Sequence, residues 1–166
     1  MKKLATILML IATILVGGAT IEAKTTKKKT SSSSSSLTLK TLTGKFYSKN
    51  DLFAITQSQI TAAMKELGFT YKGSSSSSFY NDIDDVMEPA TLYTYQKSGV
   101  TAEVYYVSRP VKITLIFGSD AAAKSFVTSS KKALGLSSNY YIRNAAVWGM
   151  QRSGHIVEIM IEEDMG

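Results

Sequence analysis

Val111-Lys112-Ile113-Thr114-Leu115-Ile116-Phe117 carries an apolar side chain at every odd position, with Lys112 and Thr114 at even ones. Successive side chains of a strand point to opposite faces, so this alternation predicts a strand with one buried face. Arg109-Pro110 marks a break before it. The segments upstream have the same character. Residues 92–96 alternate Tyr with Thr and Leu, Ser98-Gly99 signals a turn, and residues 100–107 resume an extended pattern. Gaps this short predict antiparallel hairpins, because parallel neighbours need long crossovers. Phe69-Thr70-Tyr71 opens this β region, and the serine run 74–78 reads as a mobile loop inside it. Residues 140–148 and 155–161 read as two later strands joined by the polar, glycine-bounded turn 149–154.

Two helices punctuate these strands. Ile60, Ala63, Met64 and Leu67 follow the i, i+3, i+4, i+7 spacing of one buried stripe over residues 57–67. Thr56 is placed to cap that helix with Gln59 as its reciprocal partner, and Gly68 supplies a left-handed stop. The second helix spans residues 120–134, with Ala123, Phe126, Val127, Ser130 and Leu134 inward. Ser119 or Asp120 caps its start. Lys131 and Lys132 complement the negative end of its dipole, and Gly135 ends it. Both helices close on Leu-Gly, which the frequency of glycine at helix ends explains without an internal duplication. The expected fold is α+β: an antiparallel sheet of about six strands with two helices on one face, in the order α-β-β-β-β-α-β-β.

The N-terminus speaks of location. Met1-Lys2-Lys3 is basic, residues 4–16 are uncharged and almost wholly apolar, and Gly17, Gly18, Ala19 and Ala23 are small. That is the layout of a cleavable export signal over residues 1–23. The rival is a retained anchor, since 17 residues from Leu4 to Thr20 reach the lower limit for crossing a hydrocarbon core of about 30 Å. After signal cleavage the expected location is outside the cytoplasm: periplasmic, cell-surface or secreted. Residues 24–44 are Lys, Thr and Ser with a few Leu, and too little apolar surface is available there to offset ordering entropy. They are expected to form a disordered linker, with a short edge strand at residues 37–42 as the alternative. Residues 45–166 are expected to form a single domain.

Charge and composition exclude several function classes. The net charge of +6 invites a nucleic-acid reading, yet residues 45–166 hold 12 Lys+Arg and 12 Asp+Glu. The surplus lies in Lys24, Lys27, Lys28, Lys29 and Lys40, which without aromatics carry no nucleic-acid specificity and at most draw the tail toward anionic surfaces. The absence of Cys removes disulfides, thiolate metal sites and a cysteine nucleophile. No cofactor motif is found.

The remaining chemistry is sparse. Asp82, Asp84, Asp85 and Glu88 form a dense acidic stretch, a weak candidate for Ca²⁺ that lacks EF-hand spacing; a solvated acidic loop is the simpler reading. His155 is the single histidine, so any histidine-based acid–base site must use it, yet no Gly-x-Ser-x-Gly elbow accompanies it. Tyrosines are the stronger lead. Tyr93, Tyr95, Tyr105, Tyr106, Tyr140 and Tyr141 fall in predicted strands, and tyrosine is enriched at binding surfaces. A stripe of Tyr93, Tyr95 and Tyr105 on the open sheet face, with Lys112 and Arg143, is the expected contact surface for a protein, peptide or glycan. Cross-strand aromatic packing is the competing explanation. The leading expectation is an exported, non-enzymatic binding domain. The alternatives are an exported hydrolase with a carboxylate site and a structural envelope protein.

Overall fold

The computed structural model describes residues 36–47, 52–81 and 85–163. The leader expected over residues 1–23 lies outside them, as do residues 24–35 of the expected linker and the two candidate ligands Asp82 and Asp84. The elements run α1 (Leu39–Tyr47), a 3-10 turn (Leu52–Ala54), α2 (Gln57–Glu66), β1 (Thr70–Asn81), β2 (Val86–Lys97), β3 (Val100–Tyr106), β4 (Pro110–Phe117), α3 (Asp120–Leu134), β5 (Tyr140–Arg143), β6 (Ala146–Ser153) and β7 (Ile156–Glu163).

All seven strands join one antiparallel sheet in the order β1-β2-β3-β4-β7-β6-β5, so β4 holds the middle position. The sheet is two meanders, β1 to β4 and β5 to β7, each preceded by a helix and joined through their last strands. The α+β class and antiparallel pairing agree with the sequence. The counts, six strands and two helices, do not.

Three local readings account for the difference. First, the serine run is no loop: Ser74 to Ser78 are paired one by one with Tyr93 to Pro89, inside β1. Backbone pairing with β2 supplies what serine's side chain lacks, and a bulge between Tyr71 and Gly73 resets the register. Second, residues 140–148 are not one strand. Asn144 and Ala145, at φ 49° and 60°, turn the chain back between β5 and β6, the geometry of a tight hairpin turn. The turn expected at residues 149–154 shrinks to Gly154-His155, and residues 149–153 extend β6.

Third, the linker reaches too far. Leu39, Leu42 and Phe46 are fully buried on α1, which neither the disordered linker to residue 44 nor an edge strand anticipates. Thr38 caps this helix: its Oγ1 accepts from the Thr41 amide at 3.2 Å, and its own amide donates to Thr41 Oγ1 at 3.0 Å. The exchange satisfies two donors that a helix start leaves open. The Leu39 amide donates to the buried Ser130 Oγ at 2.8 Å, tying α1 to α3. The folded domain therefore begins before Leu39, not at Lys45.

The core lies between the helices and one face of the sheet. Residues paired across neighbouring strands share a face, and the buried series Tyr95–Ala102–Leu115–Val157 and Val104–Ile113–Ile159–Met150 both cross the sheet on the helix side. Helices α2 and α3 keep the caps expected of them. Thr56 and Gln59 form a capping box, Ser119 Oγ accepts from the Ala122 amide, and Gly135 takes the left-handed C-cap at φ 67°.

Candidate binding face

The other face of the sheet is covered by no element among the described residues. Register places a row across it: Leu92, Tyr105, Lys112, Met160, Gly149 and Tyr140, each paired with the next. A polar row lies beside it: Thr94, Glu103, Thr114, Glu158 and Gln151. Lys112 Nζ stands 4.2 Å from the centre of the Tyr105 ring and 3.4 Å from Glu158 Oε1. Its charge is thus shared between a cation–π contact and a half-exposed ion pair.

At the far end, Tyr140 lies on bare glycine backbone. A Cβ added to Gly149 would sit 3.1 Å from Tyr140 Cε1, closer than a real side chain tolerates without displacing the ring. The ring borders a hollow of about 120 Å³, also lined by Val147, Gly149, Gln151, Met160 and Glu162. Glycine in a strand commonly marks such a close approach. A second hollow, of about 340 Å³, opens at the β2–β3 turn beside Gly68, Lys72 and Lys97. Lys97 Nζ there donates to the Leu67 carbonyl at 2.9 Å and finishes the end of α2.

Of the five expected contact residues, the structure brings Tyr105 and Lys112 together on the open face. Tyr93, Tyr95 and Arg143 are on the other side, which corrects the expected stripe. Tyr95 is fully buried under α2, its hydroxyl 3.1 Å from Thr61 Oγ1, and its ring packs against Tyr71. Tyr93 packs against Tyr106, whose hydroxyl donates to the Ile55 carbonyl. Arg143 pairs with Ala146, a buried residue of the helix-covered face. Leu92, Met160, Gly149 and Tyr140 complete the open row and are absent from the expected stripe. For Leu92 the signal lies in the Ser98-Gly99 hairpin; Met160, Gly149 and Tyr140 join only through the long-range pairing of β4, β7, β6 and β5. Counting back from that turn sets Tyr95 opposite Ala102, Tyr93 opposite Val104 and Leu92 opposite Tyr105.

The helix-side tyrosines make pH a probe of this assignment. Burial pushes the Tyr95 phenol above its ordinary value of 10.0, with Tyr71 and Tyr93 adding to the rise against the Thr61 hydrogen bond. Burial also raises Tyr93, aided by Tyr106 and Tyr71. A folded-state value above the unfolded one means that the native state holds the proton more tightly. That stabilisation is complete below about pH 9 and is lost as pH rises through the folded value. Urea midpoints of the wild type are expected to be flat from pH 7 to about 9 and to fall above 10, and Tyr95→Phe is expected to make that fall shallower. An identical alkaline limb in Tyr95→Phe would contradict the burial of that hydroxyl. At pH 7 the variant loses the Thr61 bond, about 1 kcal/mol.

The acidic candidates are engaged locally. The Tyr80 hydroxyl donates to Asp85 Oδ1, and Asn81 Nδ2 donates to Glu88 Oε1 at 2.6 Å. No group of three or more His, Asp or Glu side chains is placed to hold a metal among the described residues. His155 is exposed at the β6–β7 turn, its Nδ1 4.0 Å from Asp120 Oδ1 at the start of α3. No helix of the described residues is long and apolar enough to cross a membrane. No family model, curated protein or solved structure matches this chain.

Proposed function

We propose that this chain is an exported, non-enzymatic binding domain whose contact surface is the open sheet face and whose ligand is a protein segment. One observation carries the reading: the helices cover a single face of the seven-stranded sheet, and the opposite face carries Leu92, Tyr105, Met160 and Tyr140 in one row. Tyrosine, methionine and leucine beside a polar row resemble the mix of an interface core and its rim. A protein segment is favoured because the row joins its tyrosines to the aliphatic Leu92 and Met160. The basic, apolar, small-residue order of the first 23 residues supports export.

The test uses peptide and glycan arrays probed with the purified chain, with Tyr105→Ser and Gly149→Val as open-face variants and Tyr93→Phe as the helix-side control. Gly149→Val fills the hollow and pushes the Tyr140 ring aside. Peptide capture that both open-face variants weaken tenfold or more, with Tyr93→Phe unchanged, is the expected result. Capture of glycans alone, or peptide capture that the open-face variants leave intact, overturns the ligand or the surface. Export is checked separately by fractionation: a full-length chain resident in the cytosol refutes it.

A further inference from the structure

The hollow of about 340 Å³ lies where β1 begins and β2 turns into β3. Thr70 and Gln96, paired across β1 and β2, line it together with the Ser98-Gly99 turn. Its size falls among small-molecule sites of about 300–1,000 Å³, which are mostly apolar. This one is lined by polar side chains and glycine alone, so a hydrophilic ligand suits it. It is distinct from the open-face row, since Gln96 stands four residues along β2 from Leu92, about 13 Å.

The charge in this lining has one sign. It holds the Lys72 and Lys97 ammonium groups and no carboxylate. Lys72 is the extra residue of the bulge between Tyr71 and Gly73, a device that re-aims a side chain. It is exposed and makes no hydrogen bond or ion pair among the described residues. Lys97 is half-buried and fixed. It lies along bare backbone at Gly68, where an added Cβ would stand 3.5 Å from its Cε and Nζ. Its Nζ donates to the Leu67 carbonyl and stands 5.9 Å from the centre of the Phe69 ring. The carbonyl occupies one of the three N–H donors of an ammonium. The neighbouring acids are directed elsewhere: Glu66 is ion-paired with Lys45 at 2.8 Å, and Glu103 is opposite Thr94, two rungs from Gln96. The consecutive Ser98 and Gly99 amides donate to no acceptor among the described residues, and Gly99 is left-handed at φ 74°. Successive free amides in a turn make anion-binding concavities.

We propose that this hollow binds a tetrahedral oxyanion, a phosphate or sulfate group, either free or as the ester of a hydroxylated carrier. Lys97 supplies a fixed positive charge and Lys72 an unpaired one. The Ser98-Gly99 turn adds backbone donors, and Thr70 and Gln96 offer hydrogen bonds to the hydroxyls of a carrier. Charge-assisted hydrogen bonds from ammonium groups to such an anion are stronger than neutral ones, which favours it over an uncharged sugar.

NMR titration of the chain as purified from cells tests this. The probes are inorganic phosphate, sulfate and glucose 6-phosphate, with sodium chloride at matched ionic strength as the reference. The amides of Gly68, Lys72, Ser98 and Gly99 are expected to move with the oxyanions and not with chloride, at a Kd of about 1 mM, the weak end of the affinity scale. Lys72→Gln, at an exposed and unpaired position, is expected to weaken binding about threefold or more, the scale of one exposed charge pair. Lys124→Gln, an exposed cation of α3 outside the hollow, should leave it unchanged. Unaltered peaks elsewhere in the spectrum show that Lys72→Gln is folded. Tighter binding of glucose 6-phosphate than of phosphate assigns the site to an ester, and equal or weaker binding assigns it to the free ion; either supports the site. Shifts that chloride reproduces, phosphate affinity that Lys72→Gln leaves intact, or equal losses in both variants overturn the proposal.

Discussion

Cutting the chain back to begin at Lys45 is expected to abolish cooperative folding, whereas a chain beginning at Ser34 is expected to fold. The cut removes Leu39 and Leu42, both fully buried, along with the Leu39 amide that satisfies the buried Ser130 hydroxyl. A buried leucine reduced to alanine costs about 2–5 kcal/mol, so losing two removes about 4–10. Marginal domain stabilities of about 5–15 kcal/mol leave little after that. Phe46 survives the cut but loses the helix that holds its ring edge-on to Trp148, 6.1 Å away at 85°. Trp148 is the chain's single tryptophan and is fully buried, so its fluorescence reports the outcome directly. Blue-shifted emission and a sharp urea transition are expected from the Ser34 start, and red-shifted emission without a transition from the Lys45 start. A cooperative transition in the shorter chain, with tryptophan still buried, would show that α1 is an accessory to the domain.

That helix also marks where sequence reading fails. Residues 37–42 alternate Leu with Thr and Lys, which resembles an edge strand, and threonine is a poor helix former. At nine residues α1 is too short to be helical on propensity alone. Tertiary burial of Leu39, Leu42 and Phe46 decides it, and burial is invisible until the sheet they pack on is assembled. By contrast, β4, α2 and α3 declare themselves locally, through the apolar odd positions of residues 111–117 and through caps at Thr56, Ser119 and Gly135. Serines 74–78 hide a strand because their pairing is carried by backbone and dictated by β2. The candidate face is half legible for a similar reason. Adjacent Tyr105 and Tyr106 must point to opposite sides, but which side is open depends on where the helices land. Ala102 and Val104, flanking polar Glu103, point to the helix side, and the pairing carries that assignment across to Tyr93 and Tyr95.

Trp148→Ala is expected to cost about 3–5 kcal/mol and to lower the melting temperature by about 10 °C or more. The indole is the largest side chain buried to this extent. It stands on β6 opposite Ile161 of β7 and Tyr141 of β5, and meets Phe46 of α1 edge-on. Removing it opens a cavity between the second meander and the helix layer, where rigid strands on one side restrict collapse. Phe46→Leu at the same junction keeps most of the apolar volume and loses the edge-to-face contact, about 0.5–1.5 kcal/mol. The two effects should therefore be non-additive, because the double variant has no aromatic pair left to lose. Circular dichroism melts of both single variants and the double variant measure this coupling. A Trp148→Ala loss below about 1 kcal/mol would place the indole outside the core. Strict additivity would mean that α1 and β6 do not meet through these rings.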